Sequence, residues 1–116
     1  MNIEIKSGVV IIRSETLVIT DTGSALDLLA TIRHETDCDR IVIPKSAVVE
    51  DFFVLSTGIA GEILQKFVTY HTKLAIIGDY SHYTSQALKD FIYESNQGRH
   101  IFFVADEQSA IDKLSG

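Results

Sequence analysis

The sequence predicts an α/β fold, a single mixed and mostly parallel sheet of about five strands with helices packed against it. Three observations carry this. Short β-branched runs alternate with stretches whose apolar residues recur at helical spacing, an order that implies crossover connections and parallel strands. The runs at residues 41–43 and 73–78 are almost continuously apolar, as in a sheet covered on both faces. The chain also opens with two strand-like segments separated only by Ser7-Gly8, which reads as a hairpin.

Taken in order, Ile3 and Ile5 alternate with polar neighbours, and Val9, Val10, Ile11 and Ile12 form the return strand. Leu17, Val18 and Ile19 suit a short strand or a buried crossing segment. Asp21, Thr22 or Ser24 can cap a helix whose Ala25, Leu28, Leu29 and Ile32 share one face, ending between His34 and Asp37. Ile41-Val42-Ile43 is stopped by Pro44, the sole proline, which lacks the N–H a central strand needs. Residues 45–55 are the least regular part. If extended, Phe52 and Phe53 there cannot both face the core, which leaves one for a partner.

From Gly58, Ile59, Ile63 and Phe67 with Ala60, Leu64 and Val68 predict a helix to about Tyr70. The apolar strand at 73–78 follows. Thr84 or Ser85 caps the next helix, with Leu88, Phe91, Ile92 and Ser95 on one side, and Asn96-Gln97-Gly98 offers it a left-handed exit. Phe91 and Tyr93, with Phe102 and Phe103, read as core aromatics. Residues 101–104 are the last strand, and Asp106 caps a final helix through Ala110, Ile111 and Leu114. The order is a hairpin followed by αβαβαβα. Nothing marks a linker or repeat, so residues 1–116 are expected to form one domain.

The composition is that of a globular protein: 46% hydrophobic and 22% charged residues in 116. A formal charge of −6 with scattered cations argues against nucleic acid as a partner. The longest apolar runs are far short of a membrane span, and Met1-Asn2-Ile3-Glu4 reads as strand rather than signal peptide, so a cytoplasmic protein is expected. The single Cys38, lying between Asp37 and Asp39, rules out an intrachain disulfide and is an unfavourable setting for a reactive thiolate. His34, His71, His82 and His100 lack the spacing of a metal site, and no metal or cofactor is expected. Neither a Ser-His-Asp order, nor a Walker loop, nor a dinucleotide-binding glycine motif is present, so no enzymatic activity is expected. Glu50 with Asp51, and Asp90 with Glu94, read as solvated carboxylates.

Two stretches stand out as candidate sites. Ser56, Thr57 and Gly58 precede a helix, where unsatisfied N–H groups welcome a hydroxyl cap or an attached phosphate. Asp79, Ser81, Tyr83 and Thr84 lie between a buried strand and a helix, at the carboxyl end where open α/β sheets bind ligands. In a parallel sheet the two stretches emerge on the same rim.

The strings SALDLLAT from Ser24, DFF from Asp51, LSTG from Leu55, GEILQKF from Gly61 and DFIYESNQG from Asp90 resemble a bacterial family catalogued as domain of unknown function 4180. The match runs nearly end to end and implies no activity. At longer range the element order is similar to the STAS domain of anti-sigma-factor antagonists and sulfate-transporter tails. There a strand leads to an Asp-Ser-Ser-Gly-Leu-like motif opening a helix, and a partner kinase phosphorylates a serine of it. Leu55-Ser56-Thr57-Gly58-Ile59 matches that motif, with Leu55 at the acidic position and a few extra residues before it. The resemblance implies a non-catalytic regulatory module that binds a protein partner, with Ser56 as the phosphate acceptor. The alternative is a small-molecule or anion-binding domain, or a weak enzyme, using the loop over residues 79–85. A homodimer through an exposed sheet edge is a third reading.

Overall fold

A computed structural model describes residues 1–115. Two antiparallel strands, β1 (Asn2–Lys6) and β2 (Val9–Arg13), open the chain. Then follow α1 (Thr22–Thr36), β3 (Arg40–Pro44), three short 3₁₀ turns, α2 (Ile59–Thr69), β4 (Lys73–Ile77), α3 (Gln86–Gln97), β5 (Ile101–Val104) and α4 (Glu107–Ser115). The expected mixed five-stranded sheet is present. Its strands lie in chain order, β1-β2-β3-β4-β5, with β2 to β5 parallel.

That order dictates the layers. Right-handed crossovers between successive neighbouring strands all return over the same face. Ala25, Leu28 and Ile32 of α1, Ile63 and Phe67 of α2 and Leu88 of α3 accordingly share one core with Val10, Ile12, Ile41, Ile43, Leu74, Ile76 and Phe103. Only α4, free of a further crossover, covers the other face, setting Ala110 and Leu114 against Val9, Ile11, Val42, Ala75 and Phe102. The alternation along each strand, one residue to each core, is why these strands read as continuous apolar runs.

Local chemistry sets the boundaries. The Ser7-Gly8 turn has φ of 54° and 75°, the two left-handed residues that a tight hairpin of native twist requires. Asp21 caps α1 through the Ser24 N–H at 2.8 Å, and the Ser24 hydroxyl accepts from the Asp21 N–H in return. Ser85, rather than Thr84, caps α3 by accepting from the Leu88 N–H. Asp106 caps α4 through the Ser109 N–H.

Several expectations are corrected. Of the two readings of residues 17–19 the strand is not formed; Ile19 is buried and makes an isolated parallel bridge to Val48, while Leu17 is exposed. Phe52 and Phe53 are both buried, at 1% and 3% exposure, because residues 50–53 coil into a 3₁₀ turn that points adjacent side chains inward together. Val68 and Tyr93 face solvent, since α2 and α3 each bury only one stripe. Gly98 is extended, not left-handed, and ends no αL motif. Asn96 remains in α3, where its side chain pairs with β5. Its amide donates to the Phe103 carbonyl at 3.1 Å and its Oδ1 accepts from the Phe103 N–H at 2.8 Å. A side-chain amide thus stands in for the next strand at Phe103.

Candidate functional site

The two candidate stretches are built differently. The segment from Leu55 to Thr57 is a single 3₁₀ turn, and the N-cap of α2 is Gly58, left-handed at φ 77°. Ser56 is therefore not the helix cap, a correction to the reading of both hydroxyls as capping groups. Thr57 does the local work: its hydroxyl meets the carbonyls of Val54 (2.8 Å) and Asp51 (3.0 Å) and accepts from the Ile59 N–H. Ser56 points out of this arrangement and is exposed, as are Val54 before it and Gly58 after it.

The loop over residues 79–85 leaves β4 at its carboxyl end, as the parallel sheet requires. Asp79 accepts from both the N–H and the hydroxyl of Ser81, at 2.9 and 2.6 Å, which fixes the start of the loop. Those two bonds hold the Asp79 carboxyl below its ordinary range. Thr84 is exposed beside the capping Ser85.

Further along, the Tyr83 hydroxyl donates to Glu50 at 2.7 Å, and the Lys45 ammonium meets the other Glu50 oxygen at 3.2 Å. Lys45 also lies over the rings of Phe53 and Tyr83, 4.8 and 5.0 Å from their centroids. The Tyr83 bond, followed by Lys45, lowers the Glu50 carboxyl. Burial, reinforced by Glu50, raises the Tyr83 phenol despite the opposing ammonium. Burial opposes the charge on Lys45, but its bonds to Tyr83 and Glu50 prevail and its ammonium is held above the ordinary range.

The loop is thus bolted to residues 45–53. Phe53 stacks on Tyr83 with centroids 5.5 Å apart, Tyr80 meets Phe103 edge to face at 5.6 Å, and His82 covers the outer side of Tyr83 at 4.1 Å. The Tyr80 hydroxyl turns back to the Ile76 carbonyl, and its burial raises the phenol's pKa. Aromatic rings fill the space beneath the loop. Gly78 permits the close approach: a Cβ there would lie 2.7 Å from the Lys45 Cβ.

Lys45 and Glu50 were missed as partners of the loop. Lys45 directly follows the carboxyl end of β3, the neighbour of β4, so its strand-end position was the available signal. Nothing in the residue order marks Glu50 as more than a solvated carboxylate. The loop's anchoring contacts therefore run to the turn before Ser56.

Two clefts lie apart from both stretches. One of about 760 Å³ opens at the carboxyl ends of β2 and β3 on the α4 face, lined by Met1, Arg13, Ser14, Ser46 and Glu107 among others. Its guanidinium is already held by Glu4 and Glu107 at 3.1 and 2.7 Å, which neutralises the group best suited to a ligand. A second, of about 670 Å³, includes Lys73, Arg99 and Lys113. The last turn of α4 supplies Lys113, a position where a cation offsets the helix dipole. Among the described residues no helix is long and apolar enough to cross a membrane.

Tyr83→Phe tests the loop anchor. Losing the donor should move the Glu50 pKa up toward the ordinary carboxylate range, read by carboxyl NMR titration. Because the folded pKa is lowered, the Glu50 contribution to stability is present above the unfolded carboxylate pKa. It fades as pH falls through the folded value. The variant should therefore lose less stability on acidification than the parent; an unchanged Glu50 titration would contradict the assigned bond.

No curated protein and no solved structure matches the chain. The family described as Domain of unknown function (DUF4180) matches residues 5–114. With all but four residues at one end and two at the other inside that match, the chain belongs to this family of domains of unknown function.

Proposed function

We propose that this protein is a non-catalytic, cytoplasmic regulatory module of STAS-like kind, binding a protein partner through the surface at the start of α2. The observation that supports the reading best is the division of labour between the two hydroxyls. Both residues are exposed, but the Thr57 hydroxyl is committed to main-chain bonds, whereas Ser56 takes no part in the cap. A kinase needs an accessible hydroxyl whose modification leaves the fold intact, and Ser56 meets both conditions.

The surroundings suit a switch. The N-cap of α2 is a glycine without a side chain, so apart from the Thr57 hydroxyl on the Ile59 N–H and the acidic Glu62 in the first turn, its positive dipole end faces a phosphate placed just ahead of it. A phosphate at Ser56 would add about −1.5 to −2 charges beside exposed Val54, turning a partly apolar contact surface into an anionic one. The 79–85 loop is less suited to a small ligand. Asp79 and Tyr83 are satisfied internally, and the rings of Phe53, Tyr80 and Phe103 occupy the volume a ligand would need.

Incubating the protein with ATP and an extract of its source cells, then mapping phosphate by mass spectrometry, tests this directly. Phosphate is expected at Ser56 and not at Thr57, and Ser56→Asp should change which proteins co-purify. Both Ser56→Ala and Ser56→Asp should leave thermal stability within about 0.5 kcal/mol of the parent, as for a surface position outside any cap. An unmodified Ser56, together with unchanged partners for Ser56→Asp, would defeat the proposal.

A further inference from the structure

The two edges of the sheet are treated in opposite ways. At β5 the Asn96 amide occupies the main-chain groups of Phe103. At β1 the edge is open. The two-residue turn at Ser7-Gly8 makes Lys6 and Val9 a hydrogen-bonded pair, and such pairs alternate along an antiparallel ladder. Lys6, Glu4 and Asn2 therefore bond to β2, while the N–H and C=O groups of Ile3 and Ile5 point outward. All of β1 but Ile3 is exposed, and Ile5 is 52% exposed, so the helix layer stops short of this edge.

We infer that β1 pairs antiparallel with β1 of a second copy of this chain, about a twofold axis at Ile5, joining the two sheets edge to edge. The register follows from side-chain parity. With the axis perpendicular to the sheet, residues that face each other must lie on the same face, so the axis passes through a residue, and Ile3, Glu4 and Ile5 give the longest overlaps; centring on Ile3 leaves Glu4 opposite only the neutral Asn2. Centring on Glu4 would set two like carboxylates face to face. Centring on Ile5 sets Glu4 opposite Lys6 of the partner subunit twice over, and closes Ile5 on its own copy. Charged residues on an edge strand ordinarily prevent self-pairing. Here the alternation Glu4-Ile5-Lys6 is self-complementary when reversed, so the same charges select one register. This surface is independent of Ser56.

Sedimentation velocity over a dilution series reads the association. The parent chain is expected to show a reversible monomer–dimer equilibrium. Ile5→Asp should abolish the dimer by placing two carboxylates on the axis. Glu4→Lys and Lys6→Glu should each weaken it at least about tenfold, since both cross-strand pairs turn from attractive to repulsive. The double variant E4K/K6E should recover the dimer. The swap restores the ion pair of residues 4 and 6 within the chain, 3.6 Å apart in the parent, as well as the pairs between copies, though not the bond from Arg13 to Glu4, so recovery is credited to the contact between copies where the single variants are as well folded as the parent. Circular dichroism of the diluted variants checks that the hairpin is folded. A parent chain monomeric at every concentration, or a dimer that withstands Ile5→Asp, would overturn the inference, as would single variants that weaken a dimer the double variant fails to rescue.

Discussion

Phe52→Ala is expected to cost about 3–5 kcal/mol, the largest loss from any single truncation in the segment between β3 and α2. Phe52 is 1% exposed, packs edge to face on Phe53 at 4.9 Å and reaches Phe103 at 6.4 Å. It joins residues 50–53, which have only short 3₁₀ bonds of their own, to the sheet and to α2. Two losses therefore add: the transfer free energy of a phenyl ring, and the contacts its neighbours keep facing across the cavity. Against a typical domain stability of about 5–15 kcal/mol this is a large share.

Urea denaturation of the variant, analysed at constant m-value, measures the loss. Val54→Ala is the internal control, since Val54 is exposed and should change stability by less than about 0.5 kcal/mol. A Phe52→Ala loss under about 1 kcal/mol would mean that residues 50–53 are not docked as described. The measurement also bears on function. Thr57 holds the 3₁₀ turn through the Asp51 carbonyl, so Phe52 indirectly anchors the segment that presents Ser56.

That same segment shows where the residue order stops being informative. Strands and helices announce themselves by period, because each buries a regular stripe against a regular neighbour. β3, β4 and β5, and the buried residues of α1, were legible for that reason. Residues 45–57 have no period to read. Three consecutive 3₁₀ turns bury Ala47, Phe52 and Phe53 at irregular spacing, which looks like one aromatic too many if the chain is taken as extended. The candidate site divides similarly. That the 79–85 loop leaves a strand's carboxyl end follows from topology alone. That Tyr83 bonds Glu50, 33 residues away, depends on the approach of two irregular segments that no local rule constrains. The hydroxyls at 56 and 57 look alike in the sequence. Both are exposed, and only the path of the turn bonds the Thr57 hydroxyl to the main chain and leaves that of Ser56 out of those bonds.

Asn96→Ala is expected to cost about 2–3 kcal/mol, more than its half-buried place near the end of a helix would suggest. Asn96 read as part of a helix exit, yet its amide serves both main-chain groups of Phe103. Truncation leaves a half-buried N–H and C=O without partners, at about 1–3 kcal/mol each before water recovers part of the loss. It also opens the β5 edge to strand addition, so the variant should aggregate on heating where the parent does not.

Asn96→Asp separates the two bonds and gives the effect a signature in pH. The new side chain can still accept from the Phe103 N–H, but an ionised carboxylate has no proton for the Phe103 carbonyl and repels it. Protonation restores the donor, so the folded-state pKa at position 96 should rise above the ordinary value of about 3.9. A raised folded pKa contributes stability that is complete below the unfolded value and is lost as pH rises through the folded one. Relative to the parent, the Asp variant should therefore be least impaired in acid and most impaired at neutral pH, whereas the Ala variant should show a difference nearly independent of pH. Parallel urea curves from acid to neutral pH decide between them. An Asp variant whose deficit is flat across that range would show that the carbonyl bond contributes nothing, and that the β5 edge is held by the N–H alone.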